Sequence, residues 1–177
     1  MRVALYFGSF NPFHIGHLAI CNYLKDQTDV DEVRLVVTLQ NPLKENFQNN
    51  SGISRLEHVR EVISKMGSKF VVSNIEFLLP KPLYTINTLR KFSELEPENT
   101  FILVVGADNL AIIEKWNSWT ELLEEYEVWV YPRKGFNGED LCKRYGVRLL
   151  DAPIFDVSST QIREGEAQGE DLSSLKV

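Results

Sequence analysis

Apolar and polar positions along the chain follow two different periods. Short apolar-rich runs, typical of strands buried on both faces, occur at 3–7, 30–40, 70–77, 101–107, 127–133 and 147–152. Between them, apolar residues recur every three or four positions, the spacing of amphipathic helices, at 17–25, 54–66, 85–95, 138–146 and 158–166. Shorter helical stretches are predicted near 108–114 and 120–126. The chain is therefore expected to alternate strands with helices.

This alternation predicts an α/β fold with a doubly wound parallel sheet, covered by helices on both faces in three α/β/α layers. The run "FILVVGA" at 101–107 is the most continuous and predicts a central strand. In the helix at 54–66, Ser54 is the expected N-cap, and Leu56, Val59, Ile63 and Met66 share the buried face.

Ligands of such sheets bind outside the carboxyl ends of the strands. The segments that leave those ends are "GSFNPFHIGH", "TLQNPLK", "GADNL", "YPRKG" and "FDVSSTQIR". They are rich in glycine and in side chains that donate or accept hydrogen bonds. We therefore expect the functional site among these loops.

Length and charge narrow the class of protein. The 177 residues suit a single domain, 1–177, whose polar segment 165–177 is expected to pack weakly. A net charge of −6 disfavours a nucleic-acid partner, although a local pocket can still bind a small anion. No apolar run approaches the ~20 residues of a membrane span, and no export signal is evident. A cytoplasmic protein is expected, with Cys21 and Cys142 reduced and structural.

The first loop, Gly8 to His17, holds two of the three histidines of the chain. Gly8 and Gly16 would let a ligand approach the backbone, and free N–H groups at a helix start attract phosphate. His14 and His17 are three apart, so on a helix start they point to one side and could bind phosphate oxygens together. The alternative is one surface histidine and one core histidine.

The two ends of the chain resemble a known superfamily. The stretch "GSFNPFHIGH" resembles the H-x-G-H signature of the nucleotidylyltransferases, and "VSSTQIR" at 157–163 resembles their I-S-S-T-x-I-R signature, with Val157 in place of isoleucine. Neither a Walker A motif nor G-x-G-x-x-G is present. The resemblance implies the Rossmann-like nucleotidylyltransferase fold and ATP as a substrate.

The middle of the chain resembles one family of that superfamily, the nicotinate-nucleotide adenylyltransferases. The similar segments are "NPLK" at 41–44, "PLYTINTL" at 82–89, "VVGADNL" at 104–110, "KWNSW" at 115–119 and "VYPR" at 130–133. Asn87 stands where the family usually has aspartate, and Leu43 where many members carry histidine. The resemblance extends from Val3 to Arg163.

The resemblance implies transfer of the adenylyl group of ATP to nicotinate mononucleotide, giving nicotinate adenine dinucleotide and pyrophosphate, a step of NAD biosynthesis. Mg²⁺ would be held by substrate phosphates and water, without dedicated protein ligands. Implied catalytic residues are His14, His17 and Arg163. Implied ATP-binding residues are Gly8, Ser9, Phe10, Gly16, Gly106, Asp108, Ser158, Ser159 and Thr160. Implied mononucleotide-binding residues are Lys44, Tyr84, Thr85, Trp116 and Arg133.

Structural interpretations compete with several of these roles. Trp116 and Trp119 could both pack under a helix, and for Trp119 packing is the favoured interpretation. Asp108 and the Ser158–Thr160 cluster could simply cap helices. Lys44 could be a solvated charge on a loop. The resemblance favours the functional roles, with Trp116 stacking on a pyridine ring.

Two other functions remain open at this point. Pantetheine-phosphate adenylyltransferases share both end signatures and a similar lysine loop, but are typically shorter and lack the Tyr-Thr and tryptophan segments. A nucleotide-binding module without catalysis is the third hypothesis, which the intact His14, His17 and Arg163 disfavour. A homo-oligomer and a preference for nicotinate or nicotinamide mononucleotide are both left open by the sequence.

Overall fold

The computed structural model describes residues 1–39 and 52–177 and contains a six-stranded sheet. Its strands are β1 (Arg2–Gly8), β2 (Glu32–Val37), β3 (Phe70–Ser73), β4 (Thr100–Gly106), β5 (Glu127–Tyr131) and β6 (Arg148–Leu149). Their spatial order is β3-β2-β1-β4-β5-β6, and every neighbouring pair is parallel. The doubly wound parallel sheet is confirmed, with β4 central as its apolar sequence predicts.

Helices cover both faces of this sheet. They are α1 (Ile15–Gln27), α2 (Gly52–Ser64), α3 (Thr85–Leu95), α4 (Ala107–Ala111), α5 (Trp119–Glu125), α6 (Gly138–Tyr145) and α7 (Ser159–Ala167). Because side chains alternate along a strand, Ala4 and Tyr6 of β1 pack in the core cluster that α1 and α2 share. Val3 and Leu5 pack in the opposite cluster, with apolar residues of α3, α4, α5 and α6. The three layers are therefore confirmed.

Three local expectations are wrong. Ser54 lies inside α2, which begins at Gly52, and is not its N-cap. The strand expected at 70–77 ends at Ser73, because the Ser73 hydroxyl accepts a hydrogen bond from the Ile75 N–H (3.2 Å) and the chain turns into a 3₁₀ segment, Ile75–Phe77. The last strand spans only Arg148–Leu149, at the edge of the sheet where β5 is its single partner.

The strand order places a topological switch point between β1 and β4. From β1 the chain winds outward through β2 to β3, and from β4 it winds the other way through β5 to β6. A crevice forms outside the carboxyl ends of the two central strands at such a point. The loops after Gly8, Gly106 and Tyr131 open into this crevice.

The C-terminal residues lie against the first loop. The Val177 N–H donates a hydrogen bond to the Phe13 carbonyl (3.2 Å), and Lys176 pairs with His14 in an isolated antiparallel bridge. The Lys176 Nζ also lies 2.6 Å from a Glu166 carboxylate oxygen on α7. The tail thus links α7 to the loop that carries the two histidines.

Cys21 and Cys142 are both free and buried, as expected for structural cysteines. Burial raises the pKa of each thiol above its ordinary value. Within 1–39 and 52–177, no helix is long and apolar enough to cross a membrane.

Candidate active site

A cavity of about 240 Å³ opens at the switch point, at the carboxyl ends of β1, β4 and β5. It collects most of the predicted ATP-binding residues and all three predicted catalytic residues. The predicted residues that line it are Gly8, Ser9, His14, Gly16, His17, Asp108, Arg133, Ser158, Ser159, Thr160 and Arg163. Segments almost 150 residues apart in the chain therefore share one cavity, as a common phosphate site requires.

The two histidines hold each other in place through a reciprocal cap at the start of α1. The Nδ1 atom of His14 accepts hydrogen bonds from the N–H groups of Gly16 (3.0 Å) and His17 (3.3 Å). The Nδ1 atom of His17 accepts one from the His14 N–H (3.1 Å). The rings stack with centroids 3.6 Å apart. Since Nδ1 accepts in both rings, the proton of each neutral imidazole is carried by Nε2.

Both imidazoles are neutral near pH 7 in this cavity. Burial, aided by the nearby Arg133 guanidinium, lowers the pKa of His14 to about 4. Burial also holds the pKa of His17 well below its ordinary value, with His14 and Arg133 as further causes. The pair thus presents two uncharged N–H donors in a site whose positive charge comes from arginine.

This cap corrects one expectation about the helix start. The N–H groups of Gly16 and His17, expected to be free for phosphate, are bound by the His14 ring. Gly16 is needed because a Cβ there would lie 2.9 Å from His14 Cε1 and 3.2 Å from Val157 Cγ1. Gly16 therefore packs closely against His14 and against Val157, the first residue of the second motif.

The second motif docks directly on the first loop. Ser158 caps α7 by accepting from the Gln161 N–H (3.1 Å), and the Gln161 side chain accepts from the Ser158 N–H in return (2.9 Å). The Ser159 hydroxyl donates to the Pro12 carbonyl (2.9 Å), and the Arg163 guanidinium donates to the Asn11 carbonyl. These bonds keep the guanidinium in the same cavity as the imidazoles.

Asp108 and Arg133 also line the cavity. The Oδ1 atom of Asp108 is buried without a hydrogen-bond partner among the described residues, and it lies 4.0 Å from the Arg133 Nε. An unpartnered carboxylate oxygen is costly to bury. It is therefore a natural acceptor for hydroxyl groups of a bound ligand.

Comparison with known proteins agrees with this geometry. A sequence profile described as cytidylyltransferase-like matches residues 5–165. The chain is 42% identical over 163 residues to a probable nicotinate-nucleotide adenylyltransferase of Cytophaga hutchinsonii, covering 92% of this chain and 84% of that protein. It is 42% identical over 173 residues to one of Porphyromonas gingivalis, covering 97% and 87%. The chain belongs to the nicotinate-nucleotide adenylyltransferase family.

Solved structures support the fold of this family member. A Plasmodium falciparum nicotinic acid mononucleotide adenylyltransferase complexed with NaAD superposes with a TM-score of 0.80 at 19% identity, covering 97% of this chain and 87% of that one. A putative nicotinate-nucleotide adenylyltransferase of Vibrio parahaemolyticus gives 0.70 at 22% identity, covering 99% and 86%. These structures confirm the fold, while the relatives at 42% identity confirm the expected family and the nucleotidyltransferase class.

Other predicted residues of this adenylyltransferase family member lie outside the cavity. Phe10 is buried behind the loop, with its ring centroid 4.9 Å from that of His17, so it supports the imidazole. Gly106 precedes α4 at the end of β4. Tyr84 and Thr85 lie at the start of α3, where Tyr84 lines a second depression of about 220 Å³.

The tryptophans of this family member both contact the core. Trp116 and Trp119 are partly buried against the cluster formed by α3 to α6, and Trp119 also makes an edge contact with Tyr145 at 6.1 Å. Packing is therefore the observed arrangement of Trp119, as expected. Lys44 lies outside the described residues. Of the predicted mononucleotide-binding residues that the structure describes, Arg133 is the one that lines the first cavity.

Two tyrosines outside the predicted site residues also line the cavity. Tyr6 and Tyr131 line it from β1 and β5, with ring centroids 5.9 Å apart. Burial raises the pKa of Tyr131 to about 12, and the negative charge of Asp108 adds to this. Both tyrosines lie near the carboxyl end of a predicted strand, which could have indicated a site residue. Because each belongs to an apolar run, a core position was expected instead.

No group of three or more His, Cys, Asp or Glu that could hold a metal ion occurs within 1–39 and 52–177. Asp108 is the single carboxylate among the described residues that line the cavity. The described lining offers hydrogen-bond donors and two arginines, Arg133 and Arg163.

Proposed function

We propose that this chain transfers the adenylyl group of ATP to nicotinate mononucleotide, releasing pyrophosphate and forming nicotinate adenine dinucleotide for NAD biosynthesis. The observation that carries the proposal is the shared cavity, in which His14, His17 and Arg163 meet at the switch point of the sheet. Family membership supports the reaction class and the pyridine nucleotide as acceptor.

The reaction needs positioning and charge stabilisation rather than a covalent intermediate. A phosphate oxygen of the mononucleotide attacks the α-phosphorus of ATP, and the bond to the bridging oxygen breaks in line as pyrophosphate leaves. The Nε2–H groups of His14 and His17 donate to phosphate oxygens whose negative charge grows in the transition state. The planar guanidinium of Arg163, with the Ser158 and Thr160 hydroxyls, binds the departing β- and γ-phosphates. The Ser159 hydroxyl, whose proton is donated to the Pro12 carbonyl, holds α7 on the first loop instead.

ATP enters as its Mg²⁺ complex, in which phosphate oxygens and water complete the coordination of the ion. A single carboxylate in the described lining, Asp108, supports substrate-borne magnesium rather than a resident ion. Asp108 instead accepts from the ribose hydroxyls of ATP through its unpartnered oxygen. A cytoplasmic location fits the two free, buried cysteines.

The low pKa of the first histidine leads to a prediction that NMR can check. Titration of the ligand-free protein should keep His14 neutral until the pH falls to about 4, since burial disfavours the imidazolium ion. Adding MgATP should raise this pKa, because the phosphates favour the charged form. With three histidines in the chain, imidazole ¹⁵N spectra can be assigned by single substitutions. A His14 that titrates near pH 6.5 in the free protein would contradict the description of the site.

Nicotinate mononucleotide is proposed to bind through Lys44, Tyr84, Thr85, Trp116 and Arg133. Trp116→Ala should raise the KM for the mononucleotide about tenfold, since stacking between an aromatic side chain and a planar base contributes about 1–3 kcal/mol. The KM for ATP should change little. Trp119→Ala is the matched control, because Trp119 packs on Tyr145 and its loss should lower the Tm without changing the mononucleotide KM. An unchanged mononucleotide KM in Trp116→Ala would assign Trp116 to packing as well.

The substrate is tested by pyrophosphate release with three acceptors. MgATP is supplied with nicotinate mononucleotide, nicotinamide mononucleotide or 4′-phosphopantetheine, and kcat/KM is measured for each. We expect the highest value with nicotinate mononucleotide. A higher value with phosphopantetheine would support the alternative transferase. Binding of ATP without pyrophosphate release from any acceptor would support the inactive nucleotide-binding module.

A further inference from the structure

One face of α2 reaches the loop that carries the first motif. Arg55 and His58 lie three residues apart in α2, so their side chains project from the same side of the helix. Both side chains bond to backbone atoms of the segment that leads from β1 to His14. Neither residue lines the cavity, and neither belongs to the two end signatures.

Arg55 connects the carboxyl ends of two neighbouring strands. Its Nη1 donates to the Ser9 carbonyl (3.1 Å), just after β1, and to the Thr38 carbonyl (2.7 Å), just after β2. The Thr38 N–H in turn donates to the Gly8 carbonyl (2.9 Å). The guanidinium therefore fixes the point at which the functional loop leaves the sheet.

The burial of Arg55 argues against a role in packing alone. The residue is 6% exposed. Among residues 1–39 and 52–177, its Nε has no hydrogen-bond partner and no carboxylate lies within ion-pair distance. Burial lowers the pKa of its guanidinium from the ordinary value. An apolar side chain would fill this space without the cost of burying an unpaired charge. The free-energy cost of burying this guanidinium is explained if its two hydrogen bonds to carbonyl groups position the loop of the site.

His58 holds the other end of the same loop. Its Nε2 accepts a long hydrogen bond from the Phe13 N–H (3.4 Å), one residue before His14. Between these two anchor points, Phe10 adopts φ 49°, in the left-handed region that is unfavourable for a large side chain. Such a backbone persists only where its surroundings fix it.

We propose that Arg55 and His58 are positioning residues for adenylyl transfer, which hold the loop from α2 while the second motif holds it from α7. The inference rests on the proposed function, because it assigns the loop the task of placing His14 and His17 on the reacting phosphate. A shift of about 1 Å in such groups can cost about 100-fold in rate. Because His14 and His17 are proposed to bind phosphate oxygens in the transition state, their displacement should lower kcat more than it raises KM.

The test compares Arg55→Met and Arg55→Lys with Arg60→Met, a control on the exposed side of the same helix. We expect Arg55→Met to lower kcat by about 10- to 100-fold, with both KM values within about threefold of the wild type. Arg55→Lys should lie between, because its ammonium group keeps the charge and its donors but ends about one bond short of the position of the Arg55 Nη1. Arg60→Met should keep the kcat of the wild type. All values are taken per folded protein, well below the Tm.

A second pair keeps the test decisive if Arg55→Met does not fold. His58→Leu removes the acceptor for the Phe13 N–H and should lower kcat severalfold, whereas His58→Gln, whose amide oxygen can accept, should recover most of it. A kcat equal to that of the wild type in folded Arg55→Lys and His58→Leu, with only the Tm lowered, would overturn the proposal. So would a rise in KM at constant kcat, which would indicate direct binding of substrate.

A measurement without substrate separates this inference from the proposed function. The ¹⁵N shifts of the His14 and His17 rings report the reciprocal cap in the ligand-free chain. They should change in Arg55→Lys and His58→Leu but not in Arg60→Met. If the wild type fails to use nicotinate mononucleotide while these shifts change, the proposed function is wrong, but the proposal that Arg55 and His58 hold the loop is supported. Unchanged shifts in both variants would reject the bracing itself.

Discussion

His17→Ala is expected to lower kcat for adenylyl transfer by about 100- to 1,000-fold, the usual effect of removing one preorganised donor from a transition state. The expectation follows from the tautomer of the ring. Its Nδ1 is engaged by the His14 N–H, so its Nε2–H is available to a phosphate oxygen. The ring is also held by neighbours, since the centroids of Phe10 and Phe13 lie 4.9 and 5.2 Å away. A donor held in this way needs no reorganisation during the reaction.

The measurement is steady-state kinetics with MgATP and nicotinate mononucleotide. Both KM values should change by a smaller factor than kcat, because the arginines still bind the phosphates of the bound substrates. Asn22→Ala, on the exposed side of α1, is the matched control and should keep full activity. The His17 role is rejected if turnover in the folded alanine variant stays within about threefold of the wild type.

His17 also shows how far sequence reasoning reached. The apolar runs predict the strands, and the rule that ligands bind at strand carboxyl ends selects the loops after β1, β4 and β5. Arg163 and the Ser158–Thr160 cluster could be assigned to the same cavity through the pair of end signatures. The structure then brought these residues together in one lining. Both steps use information carried by local sequence.

The parts that sequence could not predict depend on side chains meeting across elements. The apolar run "VALYF" places Tyr6 in a strand, but does not reveal that its ring contacts Tyr131 and lines a cavity. The His14 cap was missed because histidine is not among the preferred N-cap residues. Arg55 looks like any charged residue of an amphipathic helix until its carbonyl partners are known. Such partners are set by tertiary packing, which the period of apolar residues and the secondary-structure propensities do not predict.

The cavity is lined by two kinds of hydrogen-bond donor, charged arginines and neutral histidines. Arg133 and Arg163 line it as permanent charges, while the pKa values of both imidazoles are lowered. Long-lived positive charge suits the binding of a polyphosphate. Neutral donors bind the ground-state phosphates less strongly than cations do, and their hydrogen bonds strengthen as the phosphate oxygens become more negative in the transition state. The pKa values of the histidines are low mainly because the rings are buried, and the nearby Arg133 guanidinium lowers them further.

A buried glutamate outside the cavity gives the second large expected effect. Glu76 is 4% exposed, in the turn between β3 and α3, and its Oε2 accepts from the Thr88 hydroxyl (3.0 Å). Burial raises the pKa of Glu76 to about 7, although the Thr88 bond works in the other direction. The folded protein thus keeps a proton that the unfolded chain loses above about pH 4.5.

The sign of the effect on stability follows from this proton. Between about pH 4.5 and 7 the folded state binds more protons than the unfolded state, so the free energy of unfolding falls as the pH rises. A shift from about 4.5 to about 7 corresponds to about 3 kcal/mol by pH 8. His14 and His17 contribute the opposite slope, because their lowered pKa values favour the folded state as the pH rises. The difference between wild type and a Glu76 variant isolates the carboxyl group.

We therefore expect Glu76→Gln to be more stable than the wild type at pH 8, by up to about 3 kcal/mol, and similar to it at pH 4.5. Glutamine keeps an oxygen that accepts from Thr88 but has no charge to bury. Urea unfolding at pH 4.5, 6, 7 and 8 measures the difference. Glu57→Gln, an exposed position on α2, is the control and should show no comparable trend. A Glu76→Gln difference that stays constant across this range would mean that Glu76 is ionised in the folded protein, and its burial would need another explanation.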